Sequence, residues 1–269
     1  MLIEPTDNSF GAYVSAGSPD ALSHADARRR IRRALARYRL LVFPQLSSDP
    51  QAFFRIARSL GTLSAHSFVP GLAEERLVHE IRKDPAHVHN FGGTWHSDGA
   101  YLHRPPRFIL LQAACVPDDG GDTLWACQIA AQRAIPAKLK KRMALASIRH
   151  LATSAFGGYA KADPPSLAQF AVHPVLRWLR EPQESAVFHS GPCASEIVGL
   201  PAQESEGLLN EILGLATTAL TFRHRWCKGD IVLWDNRATM HKALNDYPGQ
   251  LRVMRRALIG RAAPLRAPA

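Results

Sequence analysis

The sequence predicts a mainly β protein with flanking helices, folded as a double-sheet jelly roll. Three observations carry that expectation. Short apolar segments of strand length recur along the chain, Pro105-Pro106 and Gly120-Gly121 punctuate them, and helical periodicity gathers mainly at the front. A length of 269 residues with 46% hydrophobic content is ample for a core, and all-β chains of this size often form one unit. No internal repeat or long linker divides the chain, so residues 1–269 read as a single domain with N-terminal helical additions.

Taken in order, residues 24–39 pattern as a helix, with Ile31, Leu35 and Tyr38 at helical spacing among seven arginines: Arg28, Arg29, Arg30, Arg32, Arg33, Arg37 and Arg39. The apolar run Leu40-Leu41-Val42-Phe43 reads as a strand. A second helix is expected at 50–60, where Ser48 or Asp49 can cap, Pro50 suits the first turn and Gly61 stops it. Beyond it the pattern is mostly extended, with strands expected at 76–82, 94–101, 107–114, 122–126, 169–177, 185–189, 218–226, 230–235 and 251–260. Helices interrupt at about 128–147 and 202–216.

The net charge of +10 raises the question of a nucleic-acid partner. Much of that charge falls in the arginine-rich helix, where a solvated basic face is the plain explanation. No DNA- or RNA-binding motif accompanies it, so nucleic acid is not an expected partner. No apolar stretch of about 18 residues predicts a membrane-spanning helix, and the N-terminus lacks a basic segment followed by an apolar run. The four cysteines (Cys115, Cys127, Cys193 and Cys227) are scattered without a CxxC pair, which suits reduced thiols in a cytoplasmic protein.

The segments richest in chemistry are Trp95-His96-Ser97-Asp98 and Trp234-Asp235-Asn236-Arg237-Ala238-Thr239-Met240-His241. Two imidazoles and one carboxylate, with open positions for water or substrate, make the facial triad of non-heme Fe(II) oxygenases. On an extended strand, residues i and i+2 point to one side, so His96 and Asp98 could share a metal. Among twelve histidines, however, a chance His-x-Asp in a hydrogen-bonded turn is the competing reading. Lys228-Gly229-Asp230 reads as a turn and Ile231-Val232-Leu233-Trp234 as a buried strand, with His241 following in a polar loop. Asp235, Asn236 and Arg237 read as a hydrogen-bonded corner rather than as ligands.

In Leu251-Arg252-Val253-Met254-Arg255-Arg256-Ala257-Leu258-Ile259, strand alternation puts Arg252, Met254, Arg256 and Leu258 on one face. At about 3.3 Å per residue the two arginines stand roughly 13 Å apart along the strand. Guanidinium groups facing an interior need anionic partners. Those partners are either protein carboxylates or bound anions, and the strand alone does not distinguish them.

Trp95-His96-Ser97-Asp98, Pro105-Pro106, Gly120-Gly121-Asp122-Thr123-Leu124-Trp125 and the C-terminal block from Trp226 to Gly260 together resemble the taurine dioxygenase family. The resemblance runs from about Leu41 to Gly260, and Arg252 and Arg256 follow His241 at the family's spacing. It implies an Fe(II)- and 2-oxoglutarate-dependent dioxygenase on a double-stranded β-helix, the cupin-like form of the jelly roll. By this similarity His96, Asp98 and His241 bind the iron. Arg252 holds the distal carboxylate of 2-oxoglutarate, assisted by Thr123, while Arg256 and His66 contact the primary substrate.

The implied reaction is hydroxylation of an unactivated C–H bond in a small anionic molecule, consuming O2 and releasing succinate and CO2. Desaturation or cyclisation would use the same ligands, and a demethylase of nucleic acid or protein is the more distant alternative. Asp98 argues against halogenation, in which the carboxylate position is left open for chloride. Self-association into a homo-oligomer is common in such proteins. Three departures bear on the substrate: Val69, Gly92 and Arg255 stand where the family's taurine enzyme has tyrosine, asparagine and histidine. Taurine is therefore not the expected substrate. The pocket walls are expected from 64–71, 86–94 and 153–168, with Gly157-Gly158-Tyr159 either a lid or an ordinary turn.

Overall fold

A computed structural model describes residues 1–153 and 168–268. The chain opens with an antiparallel pair, β1 (Leu2–Pro5) and β2 (Ala12–Ser15), then α1 (Ala25–Tyr38), β3 (Leu40–Phe43), α2 (Pro50–Leu60), β4 (Leu63–Ser64) and β5 (Val78–Lys83). The middle holds β6 (Pro106–Cys115), β7 (Thr123–Cys127), α3 (Gln128–Arg133), α4 (Ala137–Leu145) and β8 (Ser147–Leu151). After the undescribed segment come β9 (Phe170–Pro174), β10 (Leu176–Leu179), β11 (Glu184–Val187), β12 (Ala194–Ile197) and α5 (Ala202–Thr218). The chain finishes with β13 (Thr221–His224), β14 (Ile231–Asp235), β15 (Thr239–Ala243), β16 (Arg252–Arg261) and β17 (Leu265–Arg266).

Eight strands form the largest sheet in the order β1-β2-β3-β14-β6-β16. The outer edge of β16 takes β5 along Arg252–Ala257 and β4 along Leu258–Ile259. Facing it is the sheet β13-β7-β15. The residues of β14 show why the layers stack this way. Ile231 and Leu233 join Leu35 of α1 and Phe53 of α2 on one side, whereas Val232 and Trp234 join Trp125 of β7 and Met254 of β16 on the other. An apolar strand with no polar face must be covered twice, and full burial of each such side chain contributes roughly 1.5–3 kcal/mol. The protein is therefore mainly β, with α1 and α2 on the far side of the large sheet. A third cluster, around α3 and α5, gathers Ile148, Leu208, Ile212 and Met240.

Helix α2 starts where the sequence said it should. Of the two candidate caps it is Asp49 that serves, its carboxylate accepting from the backbone N–H of Gln51 and of Ala52, each at 3.0 Å. Asp49→Ala is expected to lower stability by about 1 kcal/mol, read as a shift in the urea midpoint at unchanged slope.

Several expected boundaries move. The segment expected as a strand at 94–101 is one bridge residue, His96, followed by a turn. Its chain reverses at Gly99 (φ 68°), where an added Cβ would lie 2.8 Å from Cδ of Pro106. His241 lies on strand β15 rather than in a loop. The helix expected at 128–147 is two helices, α3 and α4, because Pro136 has no N–H to continue the first. The 169–177 strand divides at Val175, which pairs with Ala146 and Phe188 instead. Periodicity missed β1, β2, β8 and β12, four- or five-residue strands too short to show a pattern.

A candidate metal and cosubstrate site between the two sheets

Strand β15 positions the first functional side chain. Register with β7 sets His241 opposite Trp125. Its backbone also exchanges two hydrogen bonds with His96, at 2.9 and 2.8 Å. His96 thus extends the small sheet by one residue, and the two imidazole rings come to 4.1 Å between centroids. Gly92 closes against the pair. Its carbonyl accepts from Ala243 N–H at 2.9 Å, and an added Cβ there would sit 3.1 Å from Cε1 of His96. The asparagine found here in the family's taurine enzyme would crowd this ring.

Asp98 is brought in by the turn rather than by strand alternation. Asn236 holds that turn on three hydrogen bonds. Its Oδ1 accepts from Asp98 N–H at 2.9 Å, and its Nδ2 donates to the carbonyls of Asp98 and Pro106 at 3.0 Å each. Ser97 is tied in parallel, donating to Thr239 O and exchanging bonds with Ser190. The sequence marked Asn236 as part of a hydrogen-bonded corner, and Asp235 and Arg237 do pair there. Its grip on Asp98, 138 residues away in sequence, had no local signal. Asn236→Ala is expected to cost about 2–4 kcal/mol and to weaken metal binding, measured by denaturation and by metal titration.

The result is a cluster in which one ligand-type atom each from His96, Asp98 and His241 lies within 4.8 Å of the others. Its electrostatics suit a divalent cation. Nδ1 of His96 lies 2.7 Å from Thr94 O; a carbonyl can only accept, so Nδ1 donates and Nε2, 3.9 Å from Oδ1 of Asp98, is the nitrogen left to face the cluster. Burial drives the His241 pKa well below its usual value, which favours the neutral ring. Burial alone would raise Asp98, but the Arg256 guanidinium beside it holds it below the usual carboxylate range. Oδ2 of Asp98 is buried without a partner. Two imidazoles and an ionised carboxylate with an orphaned oxygen form a donor set that fits Fe(II).

The two arginines of β16 share the inward face, as alternation required. Arg256 is 2% exposed, and its Nη1 donates to Oδ1 of Asp98 at 3.1 Å, while Nε and Nη2 have no partner. Arg252 is also buried but makes no ion pair among the described residues. Its Nε donates to Gly121 O at 3.1 Å and its Nη2 to Thr123 Oγ1 at 3.4 Å. That hydroxyl is steadied by Trp226 Nε1 at 2.9 Å, a contact the sequence did not reveal. Burial lowers the Arg252 pKa from its ordinary value, more than the nearby Tyr247 and Asp122 raise it. Of the two readings left open by the strand, Arg256 meets a protein carboxylate and Arg252 meets none.

A small cavity between the sheets is lined by His96, His241, Thr123, Arg252 and Arg256. It adjoins a cleft of about 400 Å³ whose walls include residues 89–94, Asp98, Tyr101 and Cys193. The expected wall at 86–94 is thus largely present, whereas none of 64–71 lines this cleft and 154–167 lies outside the described residues. His66 is a neighbour of both Arg256 and Asp98, and burial first, then Arg256, lowers its pKa to about 3. Its Nδ1 accepts from the N–H groups of Phe68 and Val69, so one edge of the ring shapes its own loop. Gly157-Gly158-Tyr159 lies outside the described residues.

Comparison with known proteins agrees with this geometry. The family model described as "Taurine catabolism dioxygenase TauD, TfdA family" matches residues 2–258, and the chain belongs to that family. It is 30% identical to an alpha-ketoglutarate-dependent sulfate ester dioxygenase of Pseudomonas putida, over 98% of this chain and 90% of that one. It is 31% identical to an alpha-ketoglutarate-dependent 2,4-dichlorophenoxyacetate dioxygenase of Cupriavidus pinatubonensis, covering 85% and 87%. A taurine dioxygenase structure from Burkholderia xenovorans superposes with a TM-score of 0.82 at 25% identity, over 98% and 92% of the two chains. The protein is a 2-oxoglutarate-dependent dioxygenase, an oxidoreductase whose cofactors are Fe(II) and 2-oxoglutarate (alpha-ketoglutarate). No described helix is long and apolar enough to cross a membrane.

Proposed function

We propose that this dioxygenase hydroxylates a small organic anion of the sulfate-ester or aryloxyalkanoate class, using His96, Asp98 and His241 as iron ligands. Arg256 carries the reading. It is a fully buried cation beside the three candidate ligands, with two nitrogens unpartnered, so an acidic substrate group would complete its hydrogen bonding. The relatives act on molecules of these two kinds, as their names state. Gly92 and Val69, smaller than their counterparts in the taurine enzyme, favour a bulkier substrate than taurine.

Within this reading Arg252 and Thr123 grip the distal carboxylate of 2-oxoglutarate from the floor of the small cavity. Bound iron and 2-oxoglutarate would supply the oxidising chemistry with O2 as oxidant, one oxygen atom going into succinate as the keto acid loses CO2 and the other into the substrate's C–H bond. The chain's own contribution is placement. His96 and His241 present ring nitrogens, and Asp98 keeps its charge because the Arg256 guanidinium lies beside it. Arg256 fixes the anionic end of the substrate, so it decides which carbon faces the reacting centre. Tyr101 and Phe91 flank the adjoining cleft and give it an apolar, water-poor wall. His66 stands as a substrate contact by position, near both Arg256 and Asp98.

The two facing sheets are read as a double-stranded β-helix and the chain as one domain. Four free cysteines fit a cytoplasmic enzyme. The arginine-rich helix α1 packs on the far face of the large sheet, away from the site. A nucleic-acid demethylase would need that helix at the mouth, so the small-molecule reading is favoured. The test is succinate release with Fe(II) across alkyl sulfates, sulfonates, aryloxy acids and amino acids, with mass detection of product. An alkyl sulfate or aryloxy acid should couple best. Preferential turnover of an uncharged or cationic compound would contradict the assignment.

A further inference from the structure

On another side of the molecule, a second cleft of about 400 Å³ opens between β10, the end of β16 and the C-terminal segment. Six arginines line it: Arg104, Arg107, Arg177, Arg180, Arg237 and Arg261. The carboxylates nearby are already engaged. Asp235 is gripped through Nε and Nη2 of Arg237 at 2.9 and 2.7 Å, and the exposed Glu181 meets Arg107 at 3.4 Å. Arg104, Arg177, Arg180 and Arg261 make no ion pair among the described residues.

Arg177 is the telling member. It is 2% exposed, its Nη2 donates to Asn236 O at 3.1 Å, and its guanidinium carbon lies 3.9 Å from the Phe188 ring centroid. Its Nε is buried without a partner, as is Nε of Arg107. A buried guanidinium held on an aromatic face with an unused donor is fixed in place, and the one carboxylate that favours its charge, Asp235, is already paired with Arg237. Burial pushes the Arg177 pKa down to about 9. Like charges so gathered repel one another unless an anion joins them.

We propose that this cleft is an anion site, separate from the iron site, for a small molecule bearing phosphate or sulfate groups. Guanidinium forks donate in pairs, and several of them converging from different walls match a tetrahedral oxyanion with three acceptor oxygens better than a carboxylate with two. Trp178, Leu179 and Leu265 add apolar wall to the same cleft, so an organic body can accompany the charged group.

The test is calorimetric titration of pyrophosphate, inorganic sulfate and succinate into the full chain saturated with 2-oxoglutarate, at constant ionic strength set by chloride. Pyrophosphate or sulfate should bind one per chain and more tightly than succinate. Arg104→Ala/Arg180→Ala removes two exposed side chains, and it should weaken binding at least about tenfold, as expected for lost charge-assisted hydrogen bonds. Arg256→Ala should leave it in place. The proposal is overturned if neither oxyanion binds, if succinate binds as well as they do, or if the double variant binds with wild-type affinity. Loss of binding in Arg256→Ala alone would also overturn it, by placing the ion in the iron site. The Arg256→Ala arm separates this cleft from the substrate anion site proposed beside the iron ligands, and the Arg104→Ala/Arg180→Ala arm tests this cleft alone.

Discussion

Asp98→Ala is expected to abolish iron-dependent turnover of 2-oxoglutarate, and His241→Ala to do the same. Each removes one of three donors from a cluster that offers no fourth among the described residues. The Asp98 variant suffers twice, because Arg256 then keeps a buried charge with no carboxylate beside it. Breaking a buried pair in this way costs about 3–5 kcal/mol of stability, so its thermal midpoint should also fall. His241→Ala lacks that second penalty, apart from a cavity beside Trp234. Succinate release with added Fe(II), read alongside melting curves, separates lost chemistry from lost fold. Near-normal turnover in a folded variant of either kind would remove that residue from the ligand set.

The arginines of β16 should divide their labour. Arg252→Ala is expected to raise the 2-oxoglutarate requirement by about 10- to 100-fold, the worth of one or two charge-assisted hydrogen bonds. The dependence on primary substrate should change little. Arg256→Ala is expected to do the reverse, and also to loosen Asp98, whose ionisation leans on it. Saturation curves in each ligand at fixed excess of the other distinguish the two. If the effects exchanged places, the cosubstrate would sit at the wrong end of the strand.

The contrast between β16 and the His96 segment shows what was legible in the sequence. Alternation alone placed Arg252, Met254, Arg256 and Leu258 on one face of β16, and burial agrees at all four positions. The opposite face, with Ala257 and Ile259, packs toward α1 and α2, whereas Met254 and Leu258 join the cluster around Trp125. His96 and Asp98 were expected to meet as i and i+2 of a strand, and instead they meet across a turn that Asn236 clamps. The identities were readable but the mechanism of their approach was not, because it depends on a hydrogen-bonded partner distant in sequence. Thr123 was marked through resemblance, yet the Trp226 bond that orients it is likewise a tertiary contact. The arginine cleft shows the same limit. Its six members are scattered from Arg104 to Arg261, and only the folded chain brings them to one surface. By contrast the run of arginines in α1, conspicuous in sequence, is a solvated helix face with a buried stripe of Ile31, Leu35 and Tyr38.

The central claim is that one iron sits among His96, Asp98 and His241 with 2-oxoglutarate directed toward Arg252. An anomalous difference map at the iron edge, from crystals grown without oxygen in Fe(II) and 2-oxoglutarate, tests it most directly. A single strong peak within bonding distance of all three side chains, with the distal carboxylate on Arg252 and Thr123, is the predicted result. Iron elsewhere in the chain, or the carboxylate on Arg256 instead, would contradict the account.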